Sequence, residues 1–205
     1  MKHRISSLLL TGIFLLCAGC AGPAAPGQEE PASLQFFAMD TVMSITAYGE
    51  QGQTGVQAAR DAVNRLDGLL SRTDPDSQIS QLNAHAGDGT AVEVEPDVAE
   101  LLSFAQSVSQ LLPGDFDITI APVMDAWGFT TEERHVPSAE TLSAALTLVD
   151  STQLEVDGDT STARLLQAGM EVDLGAVAKG FAAGEAEEAL RAAGVERATI
   201  DLRGN

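Results

Sequence analysis

The feature that most constrains the fold is an amphipathic segment at residues 54–71. Its apolar residues recur at alternating spacings of three and four, and they are Val56, Ala59, Val63, Leu66 and Leu70. This spacing places them on one face of an α-helix, which must be buried against another element. Residues 34–48 come just before it, are rich in β-forming residues and partly alternate, which predicts one or two strands.

Helical and strand patterns are mixed along the rest of the chain. Further helices are predicted at 96–112, 138–149 and 176–193, with Ser138 as an N-cap and Leu112 facing inward. Short strands are predicted at 92–94, 153–156, 162–166, 170–173 and 197–202. Because both kinds of element alternate, the sequence predicts an α+β (mixed α/β) domain over residues 34–205.

The N-terminus has the order of a bacterial secretory leader. Basic residues at 2–4 precede an apolar run at 5–16, which is too short to span a bilayer, and small residues then lead to Cys20. We expect residues 1–19 to be a signal peptide, Cys20 to be lipidated, and residues 20–33 to be a flexible tether. A plain signal peptide and a retained anchor are the alternatives. The expected location is extracytoplasmic, on a lipid anchor.

The charge of the chain excludes one class of partner. The formal net charge is −19, and such an acidic surface repels nucleic acid, whose binding depends on neutralising phosphates. Hydrophobic residues make up 44% of the chain and charged residues 20%, which is typical of a folded domain. We therefore expect a globular protein without a nucleic-acid partner.

The strongest chemical signal lies at residues 172–180. A predicted strand ends at Asp173, Gly175 turns the chain, and a helix follows at once. Unpaired N–H groups at a helix start favour an anion, and Lys179 would lie in the first turn, within reach of a phosphate. The backbone carbonyl of Ala176 could face a cation such as Mg²⁺. An ordinary strand-to-helix junction with a solvated lysine is the alternative.

Other segments carry weaker signals. Asp117 would cap a short helix, and the sole tryptophan, Trp127, stands beside Gly128 and Phe129. That tryptophan is either a core anchor or an aromatic edge for a flat heterocycle. Residues 37–41, placed in the first strand, and the loop at 71–77 are routine when each is taken alone.

Taken in order, these segments resemble the ApbE-like family of FAD:protein FMN transferases. The shared pattern has five parts: a Met-Gly-Thr-like stretch at 39–41, Ser-x₅-Ser with Leu-Asn at 71–83, Phe-Asp-Ile-Thr with Trp-Gly-Phe at 116–129, Asp-Leu-Gly-x-x-Ala-Lys-Gly at 173–180, and a strand ending near Asn205. The resemblance covers the whole predicted domain. It implies the ApbE-like fold.

The resemblance also implies an activity. Such proteins cleave FAD with the help of Mg²⁺ and attach FMN to a Thr or Ser of an acceptor flavoprotein, such as a subunit of a membrane redox pump. Some relatives hydrolyse FAD to FMN and AMP instead. The implied FAD-binding residues are Met39, Thr73, Trp127, Gly128, Phe129, Asp173 and Lys179. The implied Mg²⁺ ligand is the carbonyl of Ala176.

The chain departs from the family pattern in several places. Asp40 replaces a glycine, Thr73 stands where many relatives have an aromatic residue, and Arg203 replaces a glycine. Family members continue well beyond this chain, with the acidic side chains that bind Mg²⁺. We therefore expect a C-terminally incomplete copy, and a non-catalytic FAD-binding lipoprotein or one without flavin binding stays an alternative.

Overall fold

The computed structural model describes residues 30–131 and 133–202. The expected leader, Cys20, most of the expected tether and Arg203 lie outside these ranges. The elements follow one another as β1 (Ala32–Ala38), β2 (Thr41–Tyr48), α1 (Gly52–Leu70), α2 (Gln78–Ala84), β3 (Val92–Glu93), α3 (Pro96–Leu111), α4 (Ala121–Ala126), α5 (Ala139–Leu146), β4 (Leu154–Asp157), β5 (Thr162–Leu165), α6 (Ala178–Ala192) and β6 (Arg197–Asp201). No helix in the described ranges is long and apolar enough to cross a bilayer. Helices and sheets are mixed, so the predicted α+β class is confirmed.

The first sheet has three antiparallel strands in the order β1-β2-β6. β1 and β2 form a hairpin whose last pair is Ala38 and Thr41, and β6 adds to the other edge of β2. β1 begins at Ala32, so the last two residues of the expected tether belong to this strand. The inward side chains of β2, Met43, Ile45 and Ala47, are fully buried.

Helix α1 covers this sheet and also packs against α6. The five apolar residues that predicted the helix are all buried in it, which confirms the prediction. Burying a Val or Leu side chain stabilises a fold by about 1.5–3 kcal/mol, so this face is a large part of the core energy. Gly55 of α1 allows close packing, because it lies against Leu190 and Val195.

The second sheet is small and has the order β3-β5-β4, all antiparallel. Helix α2 packs against β3 and β5, and α3 packs against β4. The predicted cap of α5 is confirmed, because the Ser138 hydroxyl accepts a hydrogen bond from the Thr141 N–H at 3.1 Å.

Three sequence predictions about secondary structure and burial are wrong. Residues 170–173 form no strand, because their backbone pairs with a side chain and a loop carbonyl instead of a neighbouring strand. Leu112 does not face inward as predicted. Its side chain is 47% exposed, because α3 ends at Leu111 and the backbone of Leu112 is no longer helical. Helix α6 begins at Ala178, not at residue 176, because residues 175–177 form a turn.

We expect Gly55→Ala to lower the free energy of unfolding by about 1–3 kcal/mol, because overpacking a filled interface forces neighbours apart. A Cβ at this position would lie 2.4 Å from Cγ2 of Val195. The matched control is Gly184→Ala on the exposed side of α6, where an added Cβ would have no atom of another part of the chain within 4 Å. The control should stabilise the helix by about 1 kcal/mol. Urea unfolding of both variants measures the difference, and equal midpoints would contradict the packing described.

Candidate functional site

A cavity of about 500 Å³ lies where the β1–β2 hairpin, the end of α1 and the start of α6 meet. Five of the predicted site residues line it: Met39, Thr73, Phe129, Asp173 and Lys179. They come from positions far apart in the sequence, so the fold brings together what the motifs suggested separately. The volume is within the usual range for a small-molecule site.

Met39 lies in the tight turn between β1 and β2, and the prediction that it belongs to the first strand is wrong. Both turn residues have positive φ, 48° for Met39 and 58° for Asp40. A two-residue hairpin turn needs this left-handed conformation to match the strand twist, although it is unfavourable for a methionine. The Met39 N–H donates to Oδ1 of Asp67 on α1 at 3.0 Å. Asp67, which the sequence did not single out, thus holds Met39 in the cavity wall.

The loop after α1 is shaped by its two serines. The Ser71 hydroxyl accepts hydrogen bonds from the N–H groups of Thr73 at 3.2 Å and Asp74 at 3.0 Å. The Ser77 hydroxyl donates to the Ser71 carbonyl and also caps α2 by accepting from the Ser80 N–H. The serines therefore act on the loop itself, and they present Thr73 and Asp74 to the cavity.

Asn83 fixes the extended segment that leads to Asp173. Its amide nitrogen donates to the Val172 carbonyl at 3.0 Å, and its amide oxygen accepts from the Val172 N–H at 2.7 Å. The next N–H, of Asp173, donates to the Ile118 carbonyl at 2.8 Å. Buried backbone groups need such partners. The Leu-Asn end of the Ser-x₅-Ser motif therefore has a structural role.

The turn before α6 uses most of its own N–H groups. Oδ1 of Asp173 accepts from the Gly175 N–H at 2.8 Å, and the N–H groups of Val177 and Ala178 both donate to the Leu174 carbonyl. The expectation of a free backbone cradle for an anion is wrong for these three groups. An anion here would therefore meet the Lys179 side chain and those N–H groups of the helix start that make no such bond.

Lys179 is the second residue of α6 and its side chain is half-buried in the cavity wall. The sequence has two lysines, Lys2 and Lys179, so Lys179 is the only one in the described ranges. No hydrogen bond or ion pair joins its ammonium group to any other described residue. An unpaired cation on the wall of a cavity is suited to an anionic ligand.

The Phe-Asp-Ile-Thr motif lies beside the cavity and fastens the chain that leads into α4. Asp117 accepts from the Thr119 N–H at 2.8 Å and hydroxyl at 2.7 Å, and from the Ser151 N–H at 3.1 Å. The fully buried Thr119 accepts in turn from the Asp150 N–H. The prediction that Asp117 caps a helix is wrong, because its carboxylate is used in a turn before α4 begins.

The aromatic residues after α4 differ in their contact with the cavity. The rings of Trp127 and Phe129 are stacked, with centroids 6.5 Å apart. Phe129 is 53% exposed and lines the cavity, whereas Trp127 and Gly128 are not among the described residues that do so. Gly128 has φ of +71°, and a Cβ there would lie 2.4 Å from the Glu133 carbonyl oxygen, so only glycine fits.

A second cavity of about 580 Å³ adjoins the first, because Met124, Asp173 and Gly175 line both. Ala176 lies in its wall among mostly apolar neighbours, including Phe116 and Ile120. In the described part of the chain, no group of three or more acidic, histidine or cysteine side chains is placed to hold a metal ion. In the described ranges, the carbonyl of Ala176 therefore has no group of side chains beside it that could complete a metal site.

Arg72 is a site residue that sequence reasoning missed. Its side chain is only 11% exposed, and Nη2 donates to both carboxylate oxygens of Asp125, at 2.8 and 2.7 Å, and to Glu171 at 3.0 Å. Nε lies 3.7 Å from Oδ2 of Asp173. Burial lowers the pKa of Arg72, but the hydrogen bonds to Asp125 and Glu171 outweigh it and raise the pKa overall. Its partners are 53 and 99 positions away, so no local pattern reveals the cluster.

Comparison with known proteins gives a consistent picture. The model of the ApbE family matches residues 39–205. An FAD:protein FMN transferase of Klebsiella pneumoniae is 34% identical over 70% of this chain and 45% of its own length, and one of Treponema pallidum is 30% identical over 94% of this chain and 55% of its own. The crystal structure of the ApbE protein of Thermotoga maritima matches 84% of this chain and 56% of its own, with a TM-score of 0.76 and 27% identity. The chain spans about half the length of the curated relatives it matches.

We expect Asn83→Ala to lower the free energy of unfolding by about 2–3 kcal/mol, because it leaves the N–H and carbonyl of the buried Val172 without partners. The matched control is Asn64→Ala on the exposed face of α1, which should change stability by less than about 0.5 kcal/mol. Chemical unfolding followed by circular dichroism compares the two. If both variants were equally stable, the amide of Asn83 would not support this segment.

Proposed function

This chain belongs to the ApbE family, and we propose that it serves as an FAD:protein FMN transferase or as the FAD-binding part of one. The observation that carries the proposal is the Lys179 ammonium, which has no partner among the described residues and lies in a cavity also lined by Met39 and Phe129. A ligand that suits this wall has an apolar or aromatic part and at least one phosphate. FAD, as substrate, combines a flat ring system with a pyrophosphate.

The residues divide the work of binding FAD. Lys179 holds a phosphate by a charge-assisted hydrogen bond, and Asp173 accepts from a ribose or base edge. The exposed ring of Phe129 offers a surface for the flavin, whereas Thr73 supplies no aromatic contact. Phosphoryl transfer depends mainly on such positioning and on offsetting charge at the phosphate oxygens.

The proposed reaction is transfer of FMN to an acceptor hydroxyl. The oxygen of a Ser or Thr in the acceptor flavoprotein forms a bond to phosphorus in the FMN half of FAD. The bond from that phosphorus to the AMP half breaks, AMP leaves, and the hydroxyl proton passes to water. We propose an extracytoplasmic or membrane redox protein as the acceptor.

Magnesium dependence is a separate part of the proposal. The side chains in the described ranges do not form a site that fits Mg²⁺, and Ala176 offers only a carbonyl. We therefore derive no step through the metal. An ion at this place would take most of its ligands from phosphate oxygens and water, which is a usual arrangement for Mg²⁺.

One alternative is a lipoprotein that binds FAD without catalysis. A second outcome is a pyrophosphatase, in which water replaces the acceptor hydroxyl and FMN and AMP are released. Incubation of the full chain with FAD, Mg²⁺ and an acceptor peptide separates the three. A gain of one FMN mass on the peptide supports transfer, free FMN with AMP supports hydrolysis, and unchanged FAD supports binding alone.

We expect Lys179→Ala to weaken FAD binding by about 10- to 100-fold, because it removes a charged hydrogen bond to phosphate. Riboflavin, which has no phosphate, should bind both forms equally. Quenching of the Trp127 fluorescence reports binding, because Trp127 is the sole tryptophan. Arg191→Ala, which removes an exposed cation from the same helix, is the control. Equal FAD affinity in the wild type and Lys179→Ala would rule out the proposed phosphate contact.

We also propose that the chain is attached to the membrane through a lipid on Cys20, after removal of residues 1–19. Cys20→Ser should shift the protein from the membrane fraction to the soluble extracytoplasmic fraction of a bacterial host. Cys17→Ser, which changes the cysteine inside the leader, is the matched control and should leave the protein in the membrane. Retention of Cys20→Ser in the membrane would point to an uncleaved anchor instead.

A further inference from the structure

Arg72 is the second cation of the cavity, and its surroundings differ from those of Lys179. It lies against three carboxylates, those of Asp125, Glu171 and Asp173. Its Nε and Nη1 atoms are buried and have no hydrogen-bond partner in the described ranges. Its charge is therefore balanced by the protein, while that of Lys179 is not paired with any described residue.

The charge of the cavity wall makes the pairing of Arg72 important for ligand binding. Among the described residues, four carboxylates line the cavity, from Asp40, Asp67, Asp74 and Asp173, and two cations, Arg72 and Lys179. Such a wall repels an anionic ligand, and the repulsion grows where burial reduces the dielectric screening. Without Arg72, the carboxylates of Asp125 and Glu171 would add two further uncompensated charges.

The guanidinium also joins three separate parts of the site. Arg72 belongs to the loop that carries Thr73, Asp125 belongs to the helix that precedes Phe129, and Glu171 lies two residues before Asp173. A planar, always-charged guanidinium can serve several carboxylates at once. Its removal therefore affects both the charge of the wall and the relative positions of these segments.

We propose that Arg72 is a positioning residue that makes this acidic cavity able to accept an anionic dinucleotide. It neutralises Asp125 and Glu171 and restrains Asp173, so that the charge of Lys179 stays available for the phosphates of the ligand. This inference rests on the proposed binding of FAD. It assigns the discrimination between charged and uncharged flavins to an electrostatic balance and not to contact between Arg72 and the ligand.

The test compares FAD with riboflavin, which has the same ring system and no phosphate. Arg72→Gln in the full chain should weaken FAD binding about tenfold or more and leave riboflavin binding within about twofold. High ionic strength should restore part of the lost FAD affinity, because salt screens the repulsion. Arg191→Gln, which removes a cation about 18 Å along α6 from Lys179, is the control for net charge.

A charge-removal variant separates electrostatics from structure. The combination of Arg72→Gln with Asp125→Asn and Glu171→Gln should bind FAD nearly as well as the wild type, because the repelling carboxylates are gone with their cation. The same variant serves if Arg72→Gln alone does not fold. Thermal unfolding confirms that each variant compared is folded.

The outcomes are distinct. Equal loss of FAD and riboflavin binding in Arg72→Gln, or no recovery in the triple variant, would show a purely structural role and overturn the inference. Unchanged FAD binding in Arg72→Gln would also overturn it, while leaving the proposed function in place. If the wild type bound no FAD, the proposed function would fail, and this inference would fail with it.

Discussion

The site depends on two hydrogen bonds between one side chain and the backbone of one residue. The amide of Asn83 binds both the N–H and the carbonyl of Val172, and so takes the place of a neighbouring strand. Because the segment is held in this way, its polar groups are satisfied without a place in a sheet. Asp173 then emerges in a fixed position directly before the turn that starts α6. Asp173 and the start of α6 are thereby kept in place in the cavity wall.

The two cations of the cavity illustrate how an acidic protein can still receive an anion. The chain carries a formal charge of −19, and most of the ionisable groups around the cavity are carboxylates. Arg72 lies against three carboxylates, of which that of Asp173 also lines the cavity, whereas Lys179 is engaged by none of the described ones. A cation that has no partner among the described residues creates a local attraction inside a repelling surface. Local pairing, and not net charge, decides what this site can bind.

Features that depend on a local hydrophobic period or on a motif could be predicted from the sequence. Features that depend on contacts between distant side chains could not. Helix α1 was evident from its spacing, and Lys179 from the strand-turn-helix pattern. Residues 170–173 looked like a strand because a single segment does not show whether its partner is a sheet or, as here, Asn83 at 89 positions' distance. Asp117 looked like a helix cap because the same sequence pattern occurs in a turn. In both cases the carboxylate accepts a hydrogen bond from an N–H group a few residues later. The Arg72 cluster had no local trace at all.

The hairpin turn at Met39 and Asp40 determines which side of the cavity can yield to a ligand. Both residues hold a left-handed backbone that strand register requires, and an α1 carboxylate fixes the first of them. Rotation of either residue to an ordinary conformation would break the hairpin at its tip. This wall therefore acts as a rigid template. Adaptation to ligands of different size falls instead to more exposed parts of the wall, such as the ring of Phe129, which is 53% exposed.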